Sequence, residues 1–182
     1  MWLPILVGIL TSYLLGNLNG AVCMSALMHD DVRAHGSGNA GLTNFHRTFG
    51  GGLTFVVILC DVLKAVLAVW ITGSVLSSLM GWAVFGKYWG GLFCLLGHMF
   101  PCMFGFKGGK GILSGGTIAL MIDWRIALVV WGGFLVLVIL TRYVSLGSVW
   151  AGASFPFISW YCFPDPVIVV LAFLCGGLVV WQ

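Results

Sequence analysis

Two of the chain's eight Lys and Arg residues stand three positions apart in Lys107-Gly108-Gly109-Lys110-Gly111, just after an apolar run that closes on Gly97-His98-Met99-Phe100-Pro101. Glycine lets backbone N–H groups turn toward a ligand without a Cβ in the way, and lysine adds a mobile point charge. The run therefore reads as a phosphate cradle at a membrane edge. The other reading is a basic loop that anchors two helices on one side of a bilayer and binds nothing. A second polar stretch, residues 29–52, offers neutral hydrogen bonds from Ser37, Asn39, Thr43 and Asn44, glycines that open the backbone, and Arg47, which can grip phosphate bidentately. Gly36, Gly38 and Gly41 formally satisfy GxGxxG, but that fingerprint requires a preceding strand and a βαβ unit. Here it follows an apolar helix, so a dinucleotide fold is rejected and a plain solvated loop is the competing interpretation.

Three further features could support such a site. Asp61 and Lys64 lie three residues apart on one helical face inside an apolar segment, where ionisable groups are costly and face a protein interior or cavity. They read as a self-neutralising structural pair, as support for the site, or as both. His98 sits a few residues before Lys107, as a loop-bonding group or a participant in chemistry. Thr141-Arg142-Tyr143-Val144-Ser145-Leu146-Gly147-Ser148 marks a tight polar return. The six cysteines fall within or at the ends of apolar runs without CxxC or Cys/His ligand spacing, so they read as small buried hydrophobes. No metal site is expected.

The elements that must position these groups follow from composition. With 60% hydrophobic and 7% charged residues, the chain lacks the polar surface of a soluble domain, whose charged fraction is about a quarter. Its apolar residues come in long runs, which selects helices over a β-barrel for satisfying backbone groups in lipid. The expected fold is all-α, a polytopic integral membrane protein of about seven transmembrane helices. The spans fall near residues 3–27, 53–73, 89–106, 112–122, 126–140, 146–163 and 167–182. The start, Met1-Trp2-Leu3-Pro4, has no basic n-region, so the first helix is expected to stay. Gly16 and Gly20, at GxxxG spacing with Asn17 and Asn19 beside them, suggest close helix packing with the amides bonded to neighbours.

Parity places the residue 29–52 loop, the Lys107–Gly111 loop and the Arg142–Ser148 return on one side. That side carries Arg33, Arg47, Lys107, Lys110 and Arg142, against Lys87 and Arg125 opposite, so the positive-inside rule makes it cytoplasmic, with the N-terminus outside and the C-terminus cytoplasmic. The sequence contains no Glu, and only Asp30 and Asp31 oppose these cations on that side. A pocket of that charge, bordered by greasy helices, suits a phosphorylated ligand with an acyl tail.

In order along the chain, Gly36-Ser37-Gly38-Asn39-x-Gly41-x-Thr43-Asn44-x-x-Arg47, Asp61-Val62-Leu63-Lys64, Gly97-His98-x-Phe100-Pro101, Phe106-Lys107-Gly108-Gly109-Lys110-Gly111 and Tyr143-x-Ser145-Leu146-Gly147 resemble the motif series of the bacterial membrane acyl-phosphate:glycerol-3-phosphate acyltransferases, the PlsY family. The resemblance implies a single seven-helix transmembrane acyltransferase domain over residues 1–182, in the bacterial cytoplasmic (inner) membrane. It implies transfer of a fatty acyl group from acyl-phosphate to the first hydroxyl of glycerol-3-phosphate, giving lysophosphatidic acid and inorganic phosphate, with no metal or other cofactor and no nucleic acid partner. Ser37, Arg47, Lys107 and His98 are the candidate catalytic residues, His98 supporting rather than serving as an obligatory base. Gly38, Asn39, Thr43, Asn44, Gly108, Gly109, Lys110, Gly111 and Ser145 are candidate substrate-binding residues, with Asp61 and Lys64 in support.

Acyl-phosphate is an activated mixed anhydride, so attack by an alcohol needs orientation and charge stabilisation and no covalent nucleophile. The expected arrangement has Arg47, Lys107 and Lys110 holding the two phosphates while glycine-loop N–H groups stabilise the carbonyl oxygen, and it requires Arg47 and Lys107 on one face. Family members continue past the last helix with a His-Arg-x-x-Asn-like stretch that helps bind glycerol-3-phosphate, whereas this sequence stops at Trp181-Gln182. The resemblance thus implies a part of the site that these residues do not carry. The competing function is a transporter of a phosphorylated metabolite, against which stand the absence of inverted halves and the gathering of polar groups at one membrane face.

Overall fold

The computed structural model describes residues 2–182. Among the described residues there are nine α-helices and no strand: α1 (Leu3–Asn17), α2 (Gly20–Leu27), α3 (Leu42–Thr48), α4 (Leu53–Met80), α5 (Ala83–Met99), α6 (Ile112–Ile122), α7 (Trp124–Thr141), α8 (Val144–Cys162) and α9 (Pro166–Trp181). Single 3-10 turns lie at Val32–Ala34 and Cys102–Phe104. The outward faces carry Leu, Val, Phe and Trp, such as Leu59, Leu63, Trp70, Leu128 and Ile139, an apolar exterior that lipid rather than water would solvate.

The first apolar run is not one straight span. It breaks at Leu18-Asn19, and α1 and α2 are bent by 41°. Asn19 causes the break: in an extended conformation, its side chain caps α2 by accepting from the Val22 amide. α4 runs 28 residues, seven beyond the expected end at Gly73, and stops where Gly81 adopts a left-handed conformation. By length and composition, α4 and α7 can each cross a membrane, and α1 with α2 makes a third crossing if the bent pair is one span. α6 and α9 are apolar but shorter. α6 nevertheless has the expected bounds of residues 112–122, set by Gly111 before it and Asp123 after it.

Close helix crossings use glycine where a Cβ would strike backbone. Gly16 of α1 meets the Cys94 carbonyl and Gly97 on α5, while Gly20 of α2 meets Val57 on α4. The GxxxG pair therefore serves two different neighbours, because the chain bends between its members. One large core joins α4, α5, α6, α7, α8 and α9 through Val69, Leu95, Ile118, Ile126, Phe155 and Leu171. A second, smaller cluster of Ala21, Val22, Val32, Ala40, Phe45 and Val57, with Phe49 and Phe104 against it, lies under the polar loops.

Candidate active site

The first loop is built around Asn44. Its amide nitrogen donates to the carbonyls of Val32, His35 and Asn39 at 3.0–3.1 Å, and its oxygen accepts from the Ser37 amide at 3.1 Å. Asn44 is buried, and its hydrogen-bonding capacity is spent on the loop's own backbone. Its expected role as a substrate ligand gives way to shaping the turn that presents Ser37, Gly38 and Asn39. Ser37, Gly38, Thr43 and Arg47 are exposed, and neither Arg47 nor Thr43 has a side-chain partner among the described residues. Phe45 and Phe49 pin α3 from beneath, so Arg47 stands over a packed base.

The Lys-Gly loop docks on this first loop. The Ala40 amide donates to the Gly108 carbonyl at 3.4 Å, and Phe104 packs in the same cluster as Phe45 and Phe49. The loops that carry Arg47 and Lys107 are therefore in contact with each other. The Gly108 and Gly109 amides donate to the carbonyls of Met99 and His98 at 3.1 and 3.2 Å. These two N–H groups are occupied, which corrects the expectation that they stabilise a substrate oxygen. Among the described residues, the amides of Lys110, Gly111, Ile112, Leu113 and Ser114 have no hydrogen-bond partner, and a helix N-terminus with free N–H groups favours an anion. Lys107 is exposed and Lys110 half-buried.

Glycine is required at this junction by contact. A Cβ on Gly109 would lie 2.5 Å from the Ala40 carbonyl oxygen and 2.6 Å from His98 Nε2, and one on Gly108 would overlap the His98 carbonyl. Gly111 is left-handed, with φ +71°.

Beneath the loops lies a buried polar network. Lys64 Nζ donates to Asp61 Oδ1 at 2.7 Å, to His98 Nδ1 at 2.6 Å and to the Leu18 carbonyl at 3.0 Å. Those three bonds use every proton of the ammonium group. An ammonium cannot accept, so His98 Nδ1 is the acceptor and the ring proton sits on Nε2, the edge that faces Gly109. Lys64 thus anchors the carbonyl exposed by the α1/α2 break and sets the tautomer of His98, with its charge paired by Asp61. Ser114 of α6 donates to the Asp61 carbonyl at 3.2 Å, tying the helix that follows the Lys-Gly loop to the same point.

Several contributors escaped sequence reasoning. Asn17 accepts from the Met103 amide at 3.3 Å, Asn19 donates to the Ala40 carbonyl at 3.0 Å, and the Tyr13 hydroxyl donates to the Phe100 carbonyl at 2.7 Å. The two asparagines bond to loops rather than only to helices. Asp31, held by Arg33 Nε and Nη2, keeps its carboxyl below the usual range, chiefly through that side-chain hydrogen bond. Asp30 is likewise lowered, by the His35 ring and then by the Asp31 amide. Ser145 is exposed near the start of α8, a helix that packs chiefly on α7 and α9 and lightly on α6, the helix that follows the Lys-Gly loop. Among the described residues, no three His, Cys, Asp or Glu side chains converge as metal ligands.

A narrow apolar cavity of about 30 Å³ opens between α5, α6, α7, α8 and α9, lined by Leu95, Ile112, Gly115, Phe155, Gly176 and Val179 among others. Its wall residues Leu95 and Ile112 adjoin Gly111, so the cavity lies next to the end of the Lys-Gly loop.

A family model described as glycerol-3-phosphate acyltransferase matches residues 6–182. The chain is 34% identical over 174 residues to the glycerol-3-phosphate acyltransferase of Photobacterium profundum, covering 94% of this chain and 82% of that protein. It is 34% identical over 171 residues to that of Syntrophomonas wolfei, covering 93% and 85%. The crystal structure of PlsY (YgiH), an integral membrane glycerol 3-phosphate acyltransferase, in its glycerol 3-phosphate form superposes with a TM-score of 0.85 at 28% identity over 98% of this chain and 87% of that one. The lysophosphatidic acid form gives 0.81 at 28% identity over 97% and 86%. With the match running almost end to end, the chain belongs to the glycerol-3-phosphate acyltransferase family.

Proposed function

We propose that this chain transfers a fatty acyl group from acyl-phosphate to the 1-hydroxyl of glycerol-3-phosphate, releasing lysophosphatidic acid and inorganic phosphate at the cytoplasmic face of a bacterial inner membrane. The observation that carries this reading is the docking of the Ser37–Arg47 loop on the Lys107–Gly111 loop, with a narrow apolar cavity walled by Leu95 and Ile112 next to Gly111. A phosphate held there has apolar helix faces beside it, against which an acyl tail would lie. The proposed topology is one transmembrane domain of seven passes: α1 with α2 as one bent pass, then α4, α5, α6, α7, α8 and α9, with the N-terminus outside and the C-terminus cytoplasmic. α6 spans 11 residues, about 17 Å at 1.5 Å per residue. Its pass is completed by the glycine-bearing loop, which puts the phosphate site inside the membrane edge.

In this mechanism Arg47, Lys107 and Lys110 neutralise the phosphates of donor and acceptor, and the free amides at the start of α6 stabilise the carbonyl oxygen as negative charge develops there. The glycerol hydroxyl attacks the acyl carbon, a new ester C–O bond forms, and the bond from the acyl carbon to the phosphate oxygen breaks. The departing phosphate takes the hydroxyl proton. Ser37 and Thr43 orient the acceptor, while Ser145 contributes from the third cytoplasmic turn. His98 holds the glycine loop in place. A donor comparison tests the reading: purified protein in detergent is given glycerol-3-phosphate with either a long-chain acyl-phosphate or the matching acyl thioester. Lysophosphatidic acid should form with acyl-phosphate alone and without any gradient. Product from the thioester only would overturn the donor assignment, and no product from either would overturn the reaction.

A further inference from the structure

Arg33 is absent from the chemistry just described, yet it makes more polar contacts than any other cation on that face. It sits in the 3-10 turn Val32–Ala34. Asp31 grips its Nε at 3.0 and 3.1 Å and its Nη2 at 2.8 Å, and also accepts from the Arg33 amide at 2.9 Å. With that edge of the guanidinium fixed, Nη1 reaches across some seventy positions of sequence. It donates to the Phe104 carbonyl at 2.7 Å and the Lys107 carbonyl at 3.2 Å.

Those two carbonyls bracket an unusual piece of backbone. Gly105 and Phe106 are both left-handed, at φ +68° and +59°. Glycine adopts that conformation freely, whereas phenylalanine adopts it only where its surroundings impose it. The Phe106 ring is 61% exposed, so side-chain packing does not supply the restraint. What holds the segment is the Phe106 amide on the Pro101 carbonyl at 2.9 Å and the Arg33 fork on either side of the turn. Four of the five guanidinium N–H groups are already spent on Asp31 and the loop. Arg33 is therefore poorly placed to bind phosphate itself.

We propose that Arg33 is a positioning residue: its guanidinium clamps the carbonyls of Phe104 and Lys107, holding the left-handed Gly105-Phe106 turn from which Lys107 and the following glycines enter the site. The consequence for turnover rests on the acyl-transfer reading above. The clamp itself does not.

The test uses Arg33→Lys, which keeps the charge but loses the fork, together with Phe106→Gly, which removes the cost of the left-handed turn, and the double variant. Each full-length protein is read two ways, by hydrogen exchange at the amides of Phe106, Gly108 and Gly109 and by kcat/KM for glycerol-3-phosphate with acyl-phosphate. Arg33→Lys should raise exchange at these amides about tenfold or more and lower kcat/KM about tenfold. Phe106→Gly alone should stay within about twofold of the parent, and the double variant should recover to within about threefold. Phe106→Val, which strains the same turn with Arg33 intact, should reproduce the Arg33→Lys pattern and keeps the test decisive if Arg33→Lys does not fold. Unchanged exchange and turnover in Arg33→Lys would show that charge alone suffices and overturn the clamp. Lost turnover with unchanged exchange would make Arg33 a phosphate ligand and overturn it too, as would a double variant no better than Arg33→Lys. If the parent protein forms no product, the acyl-transfer reading falls while the exchange data still decide the clamp.

Discussion

Replacing Lys64 by methionine isolates the buried network, because methionine fills similar volume without a donor. Lys64 is 2% exposed and Asp61 is 2% exposed, and their 2.7 Å pair is joined by bonds to His98 and the Leu18 carbonyl. Removing one partner of a buried ion pair costs about 3–5 kcal/mol, mainly because the remaining charge is left unpaired. For a chain of this size each kcal/mol moves Tm by about 2–4 °C, so Lys64→Met should lower Tm by roughly 10 °C. The double change Asp61→Leu with Lys64→Met leaves no orphan charge and loses only the bonds to His98 and Leu18, about 1–3 kcal/mol. Its Tm should lie well above that of the single variant. Near-ultraviolet circular dichroism of the purified protein in detergent reads both transitions. A single variant within about 2 °C of the parent, or a double variant as unstable as the single, would refute the claim that this network carries a paired charge.

Gly109→Ala should cut kcat/KM about a hundredfold or more by displacing the Lys-Gly loop from Ala40 and His98. Gly177→Ala, where an added Cβ meets nothing within 4 Å, should leave activity intact in the same assay. Gly115 lines the cavity, and its Cβ would make only ordinary contacts with Leu95 and Val179 at 3.8 and 3.9 Å. Gly115→Leu should therefore fill the cavity and evict three or four methylenes at about 0.8 kcal/mol each, a loss of about a hundredfold in kcat/KM for palmitoyl-phosphate. Butyryl-phosphate should be spared, and equal losses for both donors would place the acyl tail elsewhere. The Asp31 carboxyl is lowered from its ordinary 3.8 by Arg33, so its contribution is complete above that value and is lost as pH falls through the lower folded one. Loop protection at Phe106 should be flat from about pH 8 to about pH 5 and fall only once the pH drops below 3.8 toward the lowered folded value. Asp31→Asn should lower protection throughout that range and remove the acid step.

The helical architecture was legible wherever polar punctuation met the end of an apolar run. Gly111 and Asp123 bracket α6, and Asp165-Pro166 starts α9, with the Asp165 side chain accepting from the Val167 and Ile168 amides. The break in the first span was not legible, because residues 3–27 are apolar on both sides of it and its cause is a cap made by one asparagine. The open carbonyl at Leu18 finds its partner 46 positions later in Lys64, a distance at which local pattern says nothing. Ser37, Arg47, Lys107 and the glycines stand out by type and spacing alone, and the fold brings the two loops that carry them into contact. The role of Asn44 was not, since type alone does not tell whether an amide faces a ligand or its own loop. Arg33 looked like one more cation on a basic face, and only the tertiary fold shows what its fork grips.

The central claim is direct acyl transfer at a cationic site, without an acyl-enzyme. It is tested most directly by incubating the purified protein with acyl-phosphate and isotopically labelled inorganic phosphate in the absence of glycerol-3-phosphate. The expected result is no label entering acyl-phosphate and no protein-dependent phosphate release until the acceptor is added, after which phosphate and lysophosphatidic acid appear in equal amounts. Label exchange without the acceptor would reveal a covalent intermediate and contradict the mechanism.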